Sequence, residues 1–487
     1  MKVNKALMFF CEAYFRPFPP QSDIRAFLLG ECMDYHEFID GKHFRQVESG
    51  FDYKCAPDTH LRDYQVASVE WALARGKAAI FKDTGLGKTN DELEFASAVV
   101  AHTGRPVLLL APLSVGHQIH REAKQFGYTT KVIRSMSDVE TMINITNYEN
   151  LHNVDFSMFA GLVLDESSIL KGLNGKIRRQ IIDGAQVVPY RLSCTATPAP
   201  NDLMEIGAQC EFLGIMTQTE MLATFFIHDG GDTSKWRLKG HGRKKFYQWL
   251  ATWSVIMRDP SDYGFKALPE LPVLNIEQLE VETEVKSGLF VDIAQTLSDR
   301  SQARRDTLEV RCSKAADLIN SMTGPVIVWC GLNAEGDLLE KMIPDSVQVA
   351  GSDKDHVKES RLSGFADGTH RVLITKSKIA GFGLNWQHCN QMVFVGLSDS
   401  FESYYQSVRR CWRQGQKRAV NVWVITADTE GAVVDNIKRK QIQADTMMDE
   451  MAKVASSFFA GFEKAKNELR EYAPTLTAPK PTFKKGN

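Results

Sequence analysis

The stretch that decides the fold is Ala78–His102, which reads AAIFKDTGLGKTNDELEFASAVVAH. Its first four residues, Ala78–Phe81, form a short apolar run that is typical of a buried parallel strand. Farther along, Leu93, Ala96 and Val100 recur at the spacing of one helix face. The stretch therefore predicts a buried strand, a glycine-containing loop and a helix, in that order.

The loop between this strand and this helix has the composition of a phosphate-binding loop. Gly85 and Gly87 allow a tight turn whose backbone amides face an anion, and the helix N-terminus adds partial positive charge. Lys88 is then expected against the β- and γ-phosphates, with the Thr89 hydroxyl on Mg²⁺. The residues of the loop that we predict to bind nucleotide are Asp83, Thr84, Gly85, Leu86, Gly87, Lys88 and Thr89.

One position of the loop departs from the general phosphate-loop pattern. The pattern G-x-x-x-x-G-K-[ST] has Gly where this sequence has Lys82. The alternative interpretation is a glycine-rich turn before a helix, with Lys88 in place by chance. The order of strand, loop and helix favours nucleotide binding, because the mechanism needs all three.

The composition is that of an ordinary globular protein. The chain has 487 residues, of which 43% are hydrophobic and 24% charged, and its formal net charge is −2. This length is enough for roughly three domains. Because the net charge is close to zero, any binding to nucleic acid would depend on local basic patches.

Cysteine usage and hydropathy favour a cytoplasmic protein. The nine cysteines are scattered without a Cys-x-x-Cys pair, which argues for reduced thiols and against a zinc site or a disulfide framework. The apolar start, Ala6–Cys11, is too short for a signal peptide and is followed directly by Glu12. No run approaches the ~20 apolar residues that cross a bilayer, so we expect no membrane partner.

Strand candidates recur in two long stretches, with helical segments between them. In the first they are Ala78–Phe81, Pro106–Ala111, Lys131–Ile133, Gly161–Glu166 and Tyr190–Ala196. In the second they are Pro325–Cys330, Ser346–Gly351, His370–Lys376, Gln391–Leu397 and Val420–Ala427. This alternation predicts an α/β fold with two tandem parallel-sheet domains, only the first of which has a phosphate loop. Nucleotide is expected in the cleft between them.

Composition shifts set the expected domain boundaries. An aromatic-rich N-terminal accessory segment covers residues 1–55, and the first domain covers 56–268 with a basic and aromatic insertion at 203–265. The second domain covers 269–432, after a proline-containing hinge at Ala267–Asn275. Residues 433–487 are expected to form a C-terminal helix, to Tyr472, and a disordered basic tail.

A carboxylate pair ends one of the predicted strands of the first domain. In GLVLDESS, Asp165 can hold Mg²⁺ through water, and Glu166 can orient and deprotonate an attacking water. Asp-Glu pairs also occur at Asp91–Glu92 and Asp449–Glu450. Only the pair at 165–166 ends an apolar strand downstream of the loop, so we predict that this pair is catalytic.

Further motifs resemble those of superfamily-two helicases in their Swi/Snf-like version. Upstream of the loop, LRDYQVASVEW (Leu61–Trp71) resembles the adenine-recognising glutamine motif of that family. APLSVGHQ, ITNYENL and SCTATPAPN resemble motifs Ia, Ib and III, and TKSKIAGFGLNW and QSVRRCWRQGQ resemble motifs V and VI. The resemblance covers residues from about 61 to 445. It extends to compact bacteriophage-encoded DNA helicases, which also carry DTGLGKT and DESS.

The resemblance implies two tandem RecA-like domains of a DEAD/DEAH-type ATPase that uses ATP and Mg²⁺. It implies that Gln65 reads the adenine edge. It adds four further nucleotide-binding residues, namely Arg62, Gly381, Gly383 and Gln406. DESS replaces the Asp-Glu-Gly-His or Asp-Glu-Ala-His of chromatin remodellers, and their long insertions are missing. These departures argue against chromatin-type remodelling and leave ATP hydrolysis intact.

Two arginines of the motif VI stretch are predicted to act in catalysis. Arg410 and Arg413 are three apart, so on a helix they would share one face and could both point at the γ-phosphate. An arginine supplied across a cleft accelerates phosphoryl transfer by ~10³–10⁵. The alternative is a solvated basic helix.

The segment Ser234–Trp253 is the densest basic stretch without an acidic residue. Basic and aromatic side chains together suit a phosphate backbone with occasional base stacking. The predicted nucleic-acid-binding residues are Lys235, Trp236, Arg237, Lys239, Arg243, Lys244 and Lys245. The alternative is a solvated surface loop with core tryptophans behind it.

We therefore expect an ATP-dependent DNA helicase or double-strand DNA translocase of replication, recombination or repair. Its expected partner is DNA, duplex or single-stranded and read without sequence preference. Replication or recombination proteins are further expected partners, and a monomer is expected. One alternative is an RNA-remodelling ATPase of the same superfamily. Another is a nucleotide-dependent scaffold without motor activity, which would not need Glu166, Arg410 and Arg413.

Overall fold

The computed structural model describes most of the chain. The described residues are 49–113, 115–171, 175–229, 232–282, 302, 304–380, 386–397, 400–427 and 431–471. Most of the N-terminal segment predicted at 1–55 lies outside these ranges. The C-terminal tail APKPTFKKGN, predicted to be disordered, also lies outside them.

The first part of the chain builds a parallel sheet of seven strands in the order β3-β4-β2-β5-β6-β1-β9. Its strands are β1 (Lys77–Lys82), β2 (Val107–Ala111), β3 (Thr130–Val132), β4 (Ile143–Asn147), β5 (Gly161–Leu164), β6 (Tyr190–Cys194) and β9 (Ser254–Met257). All neighbouring strands pair in parallel. β1, β2 and β5 are buried almost throughout, as expected for a sheet covered by helices on both faces.

Helices precede and connect these strands. They are α1 (Asp63–Arg75), α2 (Lys88–Thr103), α3 (Gly116–Gln125), α4 (Lys176–Ala185), α5 (Ile206–Leu213), α6 (Gln218–Phe225) and α7 (Arg243–Ala251). α1 ends at Arg75 with Gly76 as its C-cap, and α2 begins directly after the glycine-containing loop. The helix predicted after the loop is therefore confirmed.

The second part builds a parallel sheet of six strands in the order β10-β15-β14-β11-β13-β12. Its strands are β10 (Leu274–Val281), β11 (Val326–Cys330), β12 (Ser346–Val349), β13 (Val372–Thr375), β14 (Gln391–Val395) and β15 (Val420–Ala427). The described helices around it are α8 (Leu308–Ser321), α9 (Asn333–Met342), α10 (Asp355–Ala366), α11 (Ser377–Ala380) and α12 (Phe401–Val408). The predicted α/β class with two parallel sheets, which is consistent with tandem RecA-like domains, is confirmed.

Several elements differ from the prediction. The region 203–265, which shows few strand signals, contains the antiparallel pair β7 (Phe226–Asp229) and β8 (Asp232–Leu238), as well as edge strand β9. The predicted hinge at 267–275 runs into β10, which pairs with β15. Period-2 patterns are weak in short or edge strands, so sheet pairing decides these elements rather than local sequence.

A long C-terminal helix contacts both sheets. Helix α13 (Gly431–Glu471) covers most of the predicted C-terminal helix. Its start packs Val433, Val434 and Ile437 into the core of the second sheet. Farther along, it packs on α7, β9 and residues 260–263 of the first part. Arg258 fixes this contact through Asp445 and Asp449, with an Nη1–Oδ1 distance of 2.6 Å to Asp449.

Candidate nucleotide-binding site

The loop between β1 and α2 needs glycine at two positions. Gly85 and Gly87 have φ values of 90° and 72°, in the left-handed region that favours glycine. A Cβ on Gly87 would also lie 2.7 Å from the Nε2 of Gln65, so a larger residue would be both strained and crowded. The tight turn brings the N-terminus of α2 directly behind the loop.

The loop presents donors to an anion. No described residue accepts a hydrogen bond from the backbone amides of Gly85, Gly87 or Lys88. The Lys88 ammonium donates to the carbonyl oxygens of Lys82 and Asp83, at 3.1 and 3.4 Å, so it lies over the loop. Amides, an ammonium and a helix N-terminus around one concavity form a cradle that fits a phosphate chain.

Lys82, which stands where the general pattern has Gly, belongs to the core. Its ammonium is 2.7 Å from a carboxylate oxygen of Asp91 in the first turn of α2, and both side chains are fully buried. Burial lowers the pKa of Lys82 and raises that of Asp91 to about 6, each against the attraction of its partner. The ion pair therefore joins the end of β1 to α2, behind the loop.

Gln65 lies against the phosphate loop. Its Nε2 donates to the carbonyl oxygen of Gly87 at 2.9 Å, and its Oε1 accepts from the backbone amide of Arg62 at 3.1 Å. The side chain is 3% exposed, whereas Arg62 is exposed. The predicted adenine-reading residue thus supports the loop, and Arg62 lies at the start of α1.

The carboxylate pair lies just beyond a strand end. β5 ends at Leu164, two residues earlier than predicted, so Asp165 and Glu166 lie in the turn that follows. The Tyr148 hydroxyl donates to the carbonyl oxygen of Asp165 at 2.6 Å. Glu166 has a φ of 52°, a conformation that costs about 1–3 kcal/mol and is concentrated at functional sites.

The electrostatics of this turn favour a bound cation. Burial and the neighbouring charge of Glu166 raise the pKa of Asp165 to about 7, while Lys88 lowers it. Glu92, fully buried on α2, has its pKa raised by burial and by the charge of Asp165. A hydrogen bond from the buried Cys194 thiol acts in the opposite direction and lowers the pKa of Glu92. A divalent cation would relieve the repulsion between the two buried carboxyl groups.

The donor set at this point fits Mg²⁺. The Thr89 hydroxyl and the Asp165 carboxylate are oxygen ligands, which Mg²⁺ prefers. In the described part of the chain, no cluster of three or more His, Cys, Asp or Glu residues could hold a metal ion. Mg²⁺ usually keeps several waters and phosphate oxygens in addition to one or two protein ligands.

The second sheet contributes side chains to the same cleft. The Nε2 of Gln406, on α12, donates to a carboxylate oxygen of Glu166 at 3.4 Å, and Gln406 is 1% exposed. Arg410 is buried and is attracted by Glu166 and Asp165, while burial and the nearby charge of Arg413 lower its pKa to about 10. The structure therefore brings Gln406 and Arg410 to the carboxylate pair at the end of β5.

The prediction that Arg410 and Arg413 share a helix face is wrong. Helix α12 ends at Val408, and both arginines lie in the turn Arg409–Arg413, which we call the arginine turn. Its backbone folds back through bonds from the amides of Cys411 and Trp412 to the carbonyl of Val408. Arg413 is attracted by Glu122 of α3, and burial lowers its pKa. Because the turn is folded, Arg410 is attracted by Asp165 and Glu166, whereas Arg413 is attracted by Glu122.

A glutamine outside the predicted site explains this turn. Gln416 is 7% exposed, and its Nε2 donates to the carbonyl oxygens of Gln387 and Cys389, both at 2.9 Å. It also donates to the carbonyl of Cys411 at 3.3 Å. These bonds satisfy buried carbonyl groups and tie the arginine turn to the loop before β14.

The contacts of Arg409 and Tyr405 with the phosphate loop were not predicted. Arg409 forms an ion pair with Asp83 and donates from Nε to the hydroxyl of Thr84, and the Tyr405 hydroxyl donates to Asp83. Burial alone would raise the pKa of Asp83, but Arg409 and the hydrogen bond from Tyr405 hold it below its usual value. Two features of the sequence could have indicated this contact, namely Arg409 next to Arg410 and Asp83 at the start of the loop.

The predicted nucleic-acid segment divides into structural and exposed residues. Lys239 donates to the carbonyl oxygens of Ala223 and Thr224 at the end of α6, at 3.1 and 2.8 Å. Arg243 donates to Glu450 of α13, with an Nε–Oε2 distance of 3.0 Å. These two basic side chains therefore stabilise the fold.

The other residues of the basic segment differ in their exposure. Trp236 is half-buried, with its ring 3.7 Å from that of His228. Arg237 and Lys244 are exposed, and Lys245 is half-buried. The aromatic side chains farther along are buried core residues, namely Phe246, Trp249 and Trp253. The side chain of Lys235 lies outside the described part, as do the residues Gly381 and Gly383.

The cysteines and the hydropathy of the helices bear on the expected reduced thiols and on membrane spans. The cysteines there are free thiols, and six of the seven are buried. In the same ranges, no helix combines the length and the apolar character needed to cross a membrane.

Comparison with known proteins identifies part of the cleft. Residues 311–415 match the family model of the helicase conserved C-terminal domain. A search of curated proteins found no match to the chain. The matched range begins in α8, includes most of the second sheet, and contains Gln406 and the arginine turn. Residues 311–415 are therefore similar to a RecA-like helicase C-terminal domain, which supports a helicase- or translocase-type ATPase.

Proposed function

We propose that this protein is a DNA-dependent ATPase of the Swi/Snf-like branch of superfamily two, acting as a helicase or double-strand translocase. The observation that carries the proposal is the contact between Gln406 and Glu166. It brings the matched helicase domain to the turn after β5, where water activation is expected. The motifs of both sheets support the same proposal.

Different residues of the cleft would bind the phosphates, hold Mg²⁺ and activate water. The loop amides and Lys88 would bind the phosphates of ATP, and Thr89 and Asp165 would hold Mg²⁺. When bound, Mg²⁺ supplies charge neutralisation at the phosphates. Glu166 would orient the attacking water and accept its proton. Arg410, which already lies near Glu166, would stabilise the negative charge that develops on the γ-phosphate.

Coupling to movement follows from the division of the site between two sheets. Each sheet supplies only part of the catalytic set, so hydrolysis needs the closed cleft. Opening after hydrolysis would shift the second sheet relative to the first. We propose domains at 56–268 and 269–432, an N-terminal accessory segment at 1–55 and a C-terminal region at 433–487.

DNA is the proposed track, and its contacts are expected along the backbone. The stretch QSVRRCWRQGQ resembles that of the DNA-translocating branch. Within the basic segment, Arg237 and Lys244 are exposed, and exposed basic side chains suit contacts to a phosphate backbone. Such contacts carry no sequence information, so we propose binding without sequence preference. Proteins of replication or recombination are proposed partners, and the proposed location is the cytoplasm, that of the host if the protein is phage-encoded.

The test is the rate of ATP hydrolysis with no nucleic acid, single-stranded DNA, duplex DNA or RNA, with Lys88→Ala as the inactive control. We expect hydrolysis by the unmodified protein, stimulated most by DNA. Stimulation by RNA alone would favour an RNA-remodelling ATPase instead. ATP binding without hydrolysis under every condition would favour a nucleotide-dependent scaffold.

A further inference from the structure

The first residues of the phosphate loop are held by the second sheet. Asp83 and Thr84 begin the loop, and both contact Arg409 of the arginine turn. Besides the ion pair with Asp83 and the bond to the Thr84 hydroxyl, Arg409 donates from Nη2 to the Thr84 carbonyl at 3.4 Å. Arg409 is 6% exposed. One guanidinium therefore spans three acceptors of the loop, as its planar fork allows.

Two aromatic side chains, Tyr405 and Trp412, lie beside the Arg409 guanidinium. The Tyr405 hydroxyl donates to Asp83, and the Tyr405 ring lies 5.5 Å from the guanidinium of Arg409. The Trp412 ring lies 5.0 Å from the same guanidinium, and its Nε1 donates to the carbonyl of Pro272 at 2.7 Å. The arginine turn is thus tied to both the phosphate loop and the segment that joins the sheets.

Arg409 is adjacent to Arg410, whose guanidinium is attracted by Asp165 and Glu166. Because the arginine turn is compact, the position of Arg409 on the loop sets the distance between Arg410 and the carboxylates. We propose that Arg409 is a positioning residue for ATP hydrolysis, which acts through Asp83 and Thr84 to hold Arg410 at the γ-phosphate. This inference rests on the proposed function.

The alternative is an ordinary buried ion pair that stabilises the closed arrangement and has no part in catalysis. The charges of Arg258 and Asp445 also act on Asp83, and those of Asp445 and Arg413 act on Arg409. Removing one partner of a buried pair leaves an uncompensated charge, whereas removing both does not. The double variant therefore separates the two interpretations.

The experiment compares Arg409→Gln, Asp83→Asn and the double variant with the unmodified protein. Measured for each are kcat and KM for ATP, the affinity for a fluorescent ATP analogue, and the melting temperature. Lys417→Gln, an exposed position in the same region, is the matched control. Arg409→Lys keeps the charge but loses the fork.

We expect Arg409→Gln to lower kcat by about 10- to 100-fold, the size of effect produced by a misplacement of about 1 Å. Nucleotide affinity should change little, because Lys88 and the loop amides still hold the phosphates. The double variant should regain the melting temperature of the unmodified protein while its kcat stays low. Arg409→Lys should restore kcat only in part.

The possible failures are distinguishable. If the unmodified protein hydrolyses no ATP, the proposed function fails and this inference fails with it. If the unmodified protein is active and the double variant has the same kcat, the ion pair is only structural and the inference alone is wrong. An unchanged kcat in a folded Arg409→Gln variant would also overturn it.

Discussion

In both parallel sheets a strand leads through a turn into a helix, but the two turns differ in whether the protein itself supplies an acceptor for the backbone amides. In the first, β1 leads into a glycine-containing loop and α2, and no described residue accepts a bond from the amides of Gly85, Gly87 and Lys88. In the second, β11 leads through Gly331 and Leu332 into α9. There a carboxylate oxygen of Glu335 accepts from both backbone amides, at 2.8 and 2.9 Å.

Glu335 is itself held in place by a buried arginine. The Nη1 of Arg311 is 2.8 Å from the other carboxylate oxygen of Glu335, and both side chains are fully buried. The second sheet therefore fills the anion position at its helix N-terminus with a carboxylate of its own. A strand, a tight turn and a helix create the position, and one acidic residue decides whether a ligand can use it.

The proposed ATP site draws on both sheets. The first sheet supplies the phosphate loop and two carboxylates. The second sheet, whose corresponding position is already filled, contributes Gln406, Arg409 and Arg410 at the cleft. In the proposed mechanism, nucleotide binding and charge stabilisation are separated between two regions of similar architecture.

The sharpest test of this comparison changes one glutamate to glutamine in each sheet. Glu166→Gln should retain ATP binding but lower kcat by about 10²–10⁴, because a positioned general base contributes about that much. Glu335→Gln should leave kcat for ATP close to normal, since Glu335 lies outside the cleft. Phosphate release and analogue binding measure the two effects, and Glu149→Gln, at an exposed position, is the control.

Normal turnover in Glu166→Gln would show that Glu166 is not the base. A loss of turnover in Glu335→Gln at an unchanged melting temperature would contradict the separation of roles between the sheets.

The second prediction concerns the buried ion pair of each sheet. Lys82→Ala and Arg311→Ala should each reduce the free energy of unfolding by about 3–5 kcal/mol, because each leaves a buried carboxylate without its partner. Denaturant unfolding measures the change. Lys82→Met combined with Asp91→Leu removes both charges and should be close to neutral. A single Lys82→Ala variant as stable as the unmodified protein would contradict the role of Lys82 behind the loop.

The smallest expected effect concerns DNA. Arg237→Gln with Lys244→Gln should make the salt dependence of DNA-stimulated hydrolysis shallower, by up to about 0.9 in log–log slope for each duplex phosphate that is no longer neutralised. Lys314→Gln with Lys341→Gln removes the same charge from exposed positions on α8 and α9 and should leave the slope unchanged. Equal slopes in the two double variants would remove the basic segment from the DNA-binding surface.

The fold could be predicted where burial and local pattern agree. β1, β2 and β5 are continuous apolar runs, and α2 begins where the loop motif requires it. β9 and β10 could not be predicted, because each is defined by a partner strand, β1 or β15, that is distant in sequence. Local propensity carries no information about such pairing.

The candidate site also divides into local motifs, which can be predicted, and contacts between distant residues, which cannot. The loop and the carboxylate pair are local motifs, so Lys88 and Glu166 could be predicted as site residues. The contact of Arg409 with Asp83 joins residues 326 apart and depends on a turn that ends a helix early. Two residues of the basic segment show a different limit. Lys239 and Arg243 have the composition of phosphate ligands, but they contact groups that only the folded chain brings near.

The central claim is that the two sheets form one ATP site, with Arg410 of the second acting on ATP bound to the first. Single-turnover hydrolysis by Arg410→Gln, beside nucleotide binding and the melting temperature of the same variant, tests it most directly. We expect nucleotide binding to persist and the hydrolysis step to slow by about 10³-fold or more, as for an arginine supplied across a cleft. Hydrolysis of bound ATP at the unmodified rate by a folded Arg410→Gln variant would contradict the claim.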